Sequence, residues 1–306
     1  MLSRDQIKEL SKPNLWKWSV LLCIDWLLVG LIFYQARYFN NLFSYLAAIV
    51  LLGPVIHAIA ILGHDGCHRR ISNNQRLNDF LTSFLALGPV TMPLGLYRDF
   101  HFSHHRHLGT EKDGEIAFKK EFAPMWDLPI AKNYVYKTAL LDFLGVNFMN
   151  MIRMSKGTGN AKPNDRLPMI AFWLIALSLI AWSRNWWMLL IWFSAVGSSF
   201  WAVFRFRLWC EHMGTAGTYR YQANFWHRLI FLPHNIDIHW EHHKYPSIPC
   251  WNLPRVRKLI TEVPIIPLDE VFTRLEHSSP IPSGTVLPSS EFENTSRDFI
   301  DYDKAV

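Results

Sequence analysis

The sequence predicts an all-α membrane protein with two transmembrane helical hairpins, interfacial helices and a cytosolic helical cap that carries three histidine boxes. Three observations lead there. Four long apolar runs come in two pairs, and each pair is joined by a short turn. Half of the 306 residues are hydrophobic and 14 are tryptophan, which is rich for a water-soluble chain. Histidines cluster three times at helical spacing, in each case beyond the end of an apolar run.

The elements follow in chain order. Met1 to Lys17 is polar and lacks a small-residue cleavage pattern, so no cleavable signal peptide is expected. The first span is expected at about 18–34, apolar apart from Asp25. The second is expected at 42–62, interrupted only by Pro54 and His57. Its length at 1.5 Å per residue is roughly 30 Å, the thickness of a bilayer core. Asn40 and Asn41 make the turn between them. A second hairpin is expected from 167–182 and 186–204, turning at Ser183, Arg184 and Asn185. Its first arm is short and needs local thinning or flanking anchors. Trp16, Trp18, Trp182, Trp186 and Trp187 suit interfacial belts.

Two further stretches could lie in the interface or dip into the membrane without crossing. Leu77 to Leu96 is apolar but broken by Gly88, Pro89, Pro93 and Gly95. Leu128 to Met154 is amphipathic, with Lys132, Lys137, Asp142 and Arg153. A full crossing by Leu77 to Leu96 would put the first two histidine clusters on opposite sides, so it is expected not to cross. The hairpin turns hold only Arg37 and Arg184, whereas Lys8, Lys12, Lys17, Arg69, Arg70, Arg76, Arg98, Arg106, Arg205 and Arg207 lie on the other side. The positive-inside rule then places both termini and every cluster in the cytoplasm. The formal charge of +6 is read as facing an anionic membrane surface or an acidic protein, not nucleic acid. Residues 278–306 are rich in Ser, Pro and acidic groups and are expected to be disordered. The Asn294 glycosylation pattern falls in that tail and is read as chance.

The clusters are His64 and His68 (H-x-x-x-H), His101, His104 and His105 (H-x-x-H-H), and His239, His242 and His243 (H-x-x-H-H). Residues three or four apart share a helix face, so each cluster can point imidazoles at one place. Neutral imidazole ligates iron, zinc and copper, and eight converging rings are too many for one tetrahedral ion but suit two metals. His212 lies eight residues past the last apolar run, on the same side, and is a further candidate ligand. Asp65, Asp99, Glu211, Asp237 and Glu241 are candidate carboxylates for orienting imidazoles. His57, His227 and His277 are isolated and read as structural. His107 is six residues past His101, a rotation of roughly 600° that turns it away from the cluster. Cys23, Cys67, Cys210 and Cys250 form no C-x-x-C and read as small buried thiols. A membrane transporter is the competing class. It would place ionisable groups at the midplane, where only Asp25 and His57 lie.

This pattern resembles the membrane fatty acid desaturase superfamily. The residues that carry it are His64-Asp65-Gly66-Cys67-His68, His101-Phe102-Ser103-His104-His105 and His239-Trp240-Glu241-His242-His243. Tyr245-Pro246-Ser247-Ile248-Pro249 with Asn252-Leu253-Pro254 looks like that family's continuation after the third box. Glu211-His212 looks like its extra histidine. Lys244 departs from the usual apolar residue. The resemblance covers about Leu42 to Ile260.

It implies four transmembrane helices under a cytosolic helical cap. It implies two non-haem iron ions held by His64, His68, His101, His104, His105, His212, His239, His242 and His243. It implies O2 activation and hydrogen abstraction from the acyl chain of a membrane lipid. No His-Pro-Gly-Gly of a fused haem domain occurs, so electrons are expected from a separate carrier, a ferredoxin-like protein or a b-type cytochrome. Introduction of a double bond is the expected outcome. Hydroxylation and carotenoid ketolation are alternatives within the same superfamily, because all begin with the same abstraction.

Overall fold

A computed structural model describes residues 1–110, 112–114, 129–157, 162–212 and 217–277. Helix α1 (Arg4–Leu10) is closed by a reciprocal Ser3–Gln6 capping box. Helices α2 (Leu15–Phe39) and α3 (Leu42–Cys67) form the first hairpin. Asn40 takes the left-handed conformation (φ 46°) that ends α2, and the Asn41 side chain accepts the Ser44 N–H to start α3. Trp18 Nε1 donates to Leu62 O at 3.1 Å, which locks the start of α2 to the end of α3.

Helix α4 (Gln75–Leu81) runs on through a π-turn at Thr82–Leu87 and a 3₁₀ turn at Gly88–Val90. It then bends by 90° into α5 (Leu94–His107). Pro93 caps α5, and Thr91 is left-handed (φ 59°). This unit lies against α3 with almost no gap. A Cβ on Gly63 would meet Leu87 at 2.6 Å, and one on Gly66 would meet Thr82 at 2.0 Å. His68 Nε2 at one end of the excursion lies 2.9 Å from His101 Nε2 at the other. The chain therefore leaves and returns on the same side, as expected for Leu77 to Leu96.

The amphipathic stretch becomes α6 (Lys132–Phe143) and α7 (Phe148–Gly157), separated at Gly145 (φ 74°). The second hairpin is α8 (Pro163–Ser183) and α9 (Trp187–His212), turning at left-handed Arg184 (φ 56°). In α8, none of the most apolar window is buried inside the protein, so only a bilayer can cover it. The four long apolar helices make this a multi-pass membrane protein.

The helices run on past the ends of the apolar segments. The expected end of the last arm is 204, yet α9 continues to His212. Arg205 and Arg207 stop the apolar run but not the helix, because both are buried and paired. Arg205 Nε meets Asp142 Oδ2 of α6, and Arg207 Nε meets Glu211 Oε1. Near mid-helix, α9 carries a π-turn at Val196–Phe200, where Ser199 sits against Gly53 of α3.

The cap follows, with α10 (Phe225–Ile230), α11 (His239–Lys244), α12 (Leu253–Leu259) and α13 (Leu268–Glu276). One two-residue parallel bridge pairs Tyr221–Gln222 with Ile266–Pro267. The cap core is built on buried Trp209, Tyr219, Tyr221, Leu232 and Val271. The tail expected at 278–306 lies outside the described residues.

Candidate metal centre

Four helices deliver the histidines. His64 lies in the last turn of α3 and His68 caps it. His101, His104 and His105 lie in the second half of α5, His212 ends α9, and His239, His242 and His243 sit on the single-turn α11. All nine are buried.

They divide into two groups. The ligating atoms of His64, His68, His101, His105 and His242 all lie within 4.8 Å of one another. Their Nε2 atoms meet in pairs: His64–His242 at 3.1 Å, His68–His101 at 2.9 Å, His105–His101 at 2.9 Å and His242–His105 at 3.0 Å. In the second group, His104 Nε2 lies 3.2 Å and His239 Nε2 2.8 Å from His212 Nε2. His243 joins them, its ligating atom within 4.8 Å of those of His104 and His212. The groups touch, with the His105 and His243 rings 4.4 Å apart.

The boxes therefore do not map one to one onto the groups. In an H-x-x-H-H box the first and last histidines are about 40° apart round the helix, while the middle one is rotated about 100° from the last. Box two sends His101 and His105 to the first group and His104 to the second. Box three does the reverse, sending His239 and His243 to the second group and His242 to the first. Two helices facing each other thus build two adjacent sites.

The partners of the other ring nitrogens are fixed in part by carboxylates. His104 Nδ1 lies 3.0 Å from both oxygens of fully buried Asp113. His239 Nδ1 lies 3.2 Å from Glu211 Oε1, which Arg207 holds at 2.6 Å. His212 Nδ1 lies 2.9 Å from the carbonyl of Gly217. Asp65 Oδ1 is 3.8 Å from His64 Nδ1, and its other oxygen accepts the Cys250 N–H at 3.0 Å.

Of the five expected carboxylates, Glu211 meets an imidazole and Asp65 lies beside one. The other three do not. Asp99 and Glu241 stand two residues from a box histidine, a turn of about 200°, so they face the opposite side of their helices. Asp99 is exposed, and Glu241 is buried against Arg220 and Arg257. Asp237 pairs with Arg228 and Arg257. Asp113 was not foreseen. Its one sequence hint is the turn after box two, where Gly109 (φ 75°) donates its N–H to Asp113 Oδ2 at 3.2 Å.

The histidines set aside stay aside. His57 is two turns below His64, fully buried, with its ring 6.3 Å from Phe200 and 6.4 Å from Phe204. His107, His227 and His277 belong to neither group. His234 was not considered in the sequence, and it pairs with Asp25.

Burial, reinforced by neighbouring imidazoles and arginines, holds His68, His101, His105, His239, His242 and His243 well below the usual value of 6.5. The rings are neutral lone-pair donors at ordinary pH. The spacing also fits ions. Imidazole nitrogens at about 2.1 Å from a metal and at right angles to each other lie about 3 Å apart, which is the separation seen within both groups. His243 Nε2 is buried without a hydrogen-bond partner among the described residues, as a ligand atom would be.

Comparison with known proteins agrees with this architecture. Residues 40–265 match the fatty acid desaturase family. The chain belongs to that family. It is 22% identical over 280 residues to a Nostoc sn-1 acyl-lipid omega-3 desaturase (ferredoxin), covering 83% of this chain and 78% of the relative. It is 26% identical over 269 residues to a human sphingolipid delta(4)-desaturase/C4-monooxygenase, covering 84% and 77%. Similarity to a Chlamydomonas reinhardtii zeaxanthin 4-ketolase is 25% over 215 residues, covering 68% of this chain but 43% of the relative. This desaturase-family protein is thus a membrane oxidoreductase, with its histidine groups at the ends of its long helices.

Proposed function

We propose that this protein introduces a double bond into a fatty acyl chain of a membrane lipid, using O2, two iron ions and electrons from a separate carrier. The observation that carries the reading is the pair of touching all-imidazole groups of five and four residues at the ends of the long helices. His64, His68, His101, His105 and His242 would hold one iron, and His104, His212, His239 and His243 the other. Bound iron would supply O2 activation. Overall, the chain's –CH2–CH2– loses two hydrogens, and O2 with two electrons and two protons leaves as two waters.

The protein's own groups do the rest. Asp113, Glu211 and the Gly217 carbonyl orient His104, His239 and His212. The basic bias of residues beyond the hairpin turns supports a cytoplasmic site and termini. A ferredoxin is named as donor for the Nostoc relative, and a ferredoxin-like protein or b-type cytochrome is the donor class proposed for this chain. A transporter reading is not favoured, since the histidines gather at the ends of the long helices and not midway along them. Ketolation or hydroxylation is the second reading, motivated by the ketolase and monooxygenase names among the relatives.

The test is expression in a host of known lipid content, with mass spectrometry of total lipids and metal analysis of the purified protein. New double bonds are expected, lost in His104→Ala. Added oxygen would move the reading to hydroxylation or ketolation. Full activity of His104→Ala, or wild-type protein that binds no metal, would sink it.

A further inference from the structure

Resting on the two-iron reading, we infer that electrons reach the centre through Phe102 and His68, beneath a basic docking surface for an acidic one-electron carrier protein. The nine histidines are not equally shielded. His68 is the most exposed at 9%, while His243 at the far side is fully buried. A carrier on the surface can therefore approach the centre at His68, with His101 (7%) next to it.

Phe102 covers that approach. Its ring lies 5.3 Å from the His68 ring at an interplanar angle of 37°, and 36% of the residue faces outward. An exposed phenylalanine in van der Waals contact with a ligand ring gives a short route of closely packed atoms. The face is aqueous, not lipid-facing. Phe102 lies between Asp99 and Arg106 on the outer stripe of α5, and both are exposed. The same stripe presents no function to the substrate, since His101, His104 and His105 face inward.

The rim is basic. Arg69 follows His68 directly in a left-handed conformation (φ 57°). Arg70 Nε donates to the His68 carbonyl at 2.6 Å, and its Nη1 donates to Ser11 O at 2.9 Å, which brings exposed Lys12 alongside. With Arg106, these cations give the described residues beside His68 and Phe102 a basic bias, and Asp99 is the acidic group on the same stripe of α5. Such a field steers an acidic partner and fixes its orientation more than it adds contact energy.

The experiment uses the iron-loaded full chain in detergent with two probes, a plant-type [2Fe–2S] ferredoxin and the soluble domain of a b-type cytochrome. Stopped-flow spectroscopy reads electron transfer, and calorimetry at several salt concentrations reads binding. Arg106→Glu with Lys12→Glu is expected to weaken carrier binding about tenfold or more at low ionic strength, with the difference shrinking as salt screens the surface. Phe102→Ala is expected to slow transfer at saturating carrier, and Phe102→Trp to restore it. Reduction by dithionite should be unchanged in all variants. Unchanged binding and transfer in these variants would overturn the port while leaving the iron centre intact. Failure of dithionite to reduce the wild-type centre would count against the two-iron reading itself. Whichever probe binds and reduces the protein identifies the carrier class.

Discussion

His234 Nε2 lies 2.8 Å from Asp25 Oδ2, joining the loop that leads into the third histidine box to the first membrane span. The loop is held in an uncommon shape, since His234 and Asn235 are both left-handed (φ 51° and 61°). Two consecutive non-glycine residues in that region persist only where the surroundings over-determine them. Those surroundings are visible: Asn235 Nδ2 donates to Cys250 O at 3.1 Å, and Cys250 N–H donates to Asp65 beside His64. Asp25→Leu should therefore cost about 2 kcal/mol of stability, the scale of a hydrogen bond to a charged group. It should also loosen metal at the group containing His239. Asp25→Asn should recover most of both. Thermal unfolding in detergent and metal content check this, and a Leu variant with wild-type values would contradict it.

The division of each box between two groups has a stoichiometric consequence. His101→Ala should deplete the five-imidazole group and spare the other, whereas His239→Ala should do the opposite. Iron per chain, with Mössbauer spectra of the remaining ion, separates the two cases. Identical residual spectra in both variants would mean that the groups do not hold separate ions.

Asp113 and Asp99 make a matched comparison, because both are acidic and flank box two. Asp113→Asn should weaken metal binding about 10- to 100-fold, the usual effect of losing a carboxylate that orients a ligand imidazole. Asp99→Asn should leave metal affinity unchanged. Competition with a chelator reads both.

Acid should release the metal and destabilise the metal-free protein. The folded state holds His68, His101, His105, His239, His242 and His243 neutral well below the ordinary 6.5, chiefly through burial, whereas unfolded imidazoles take up protons near 6.5. Below 6.5 the unfolded state binds more protons, so stability present above that pH is lost as the pH falls. Denaturant titrations of the metal-free protein from pH 8 to pH 5 should show a steep decline in the lower half of that range. A flat profile would contradict the buried neutral cluster.

His57 is fully buried, and neither ring nitrogen has a hydrogen-bond partner among the described residues. Replacing an unsatisfied polar group by an apolar one of similar size is neutral or stabilising. His57→Leu should keep or raise the unfolding temperature and retain full metal content. A large loss of metal would instead make His57 part of the centre.

Much of this was legible in the chain. The hairpin turns were readable because Asn40-Asn41 and Ser183-Arg184-Asn185 interrupt apolar runs with residues suited to caps and left-handed turns. Eight of the nine histidines were identifiable because spacing of three or four on a helix puts side chains on one face, and His212 was identifiable by its place eight residues past the last apolar run. The helix ends were not, since hydropathy cannot see that Arg205 and Arg207 are neutralised by Asp142 and Glu211.

The sequence by itself determined which side chains can ligate and which segments need a bilayer, because both follow from local periodicity and composition. Only the tertiary structure decided which histidine joins which group, which carboxylate meets an imidazole and what holds the third box in place. Asp113 reaches His104, Glu211 reaches His239 and His234 reaches Asp25. Each such meeting depends on the relative rotation and depth of separate helices. Those are set by close packing at Gly53, Gly63 and Gly66 and by buried ion pairs, which join residues far apart in the chain and leave no local pattern.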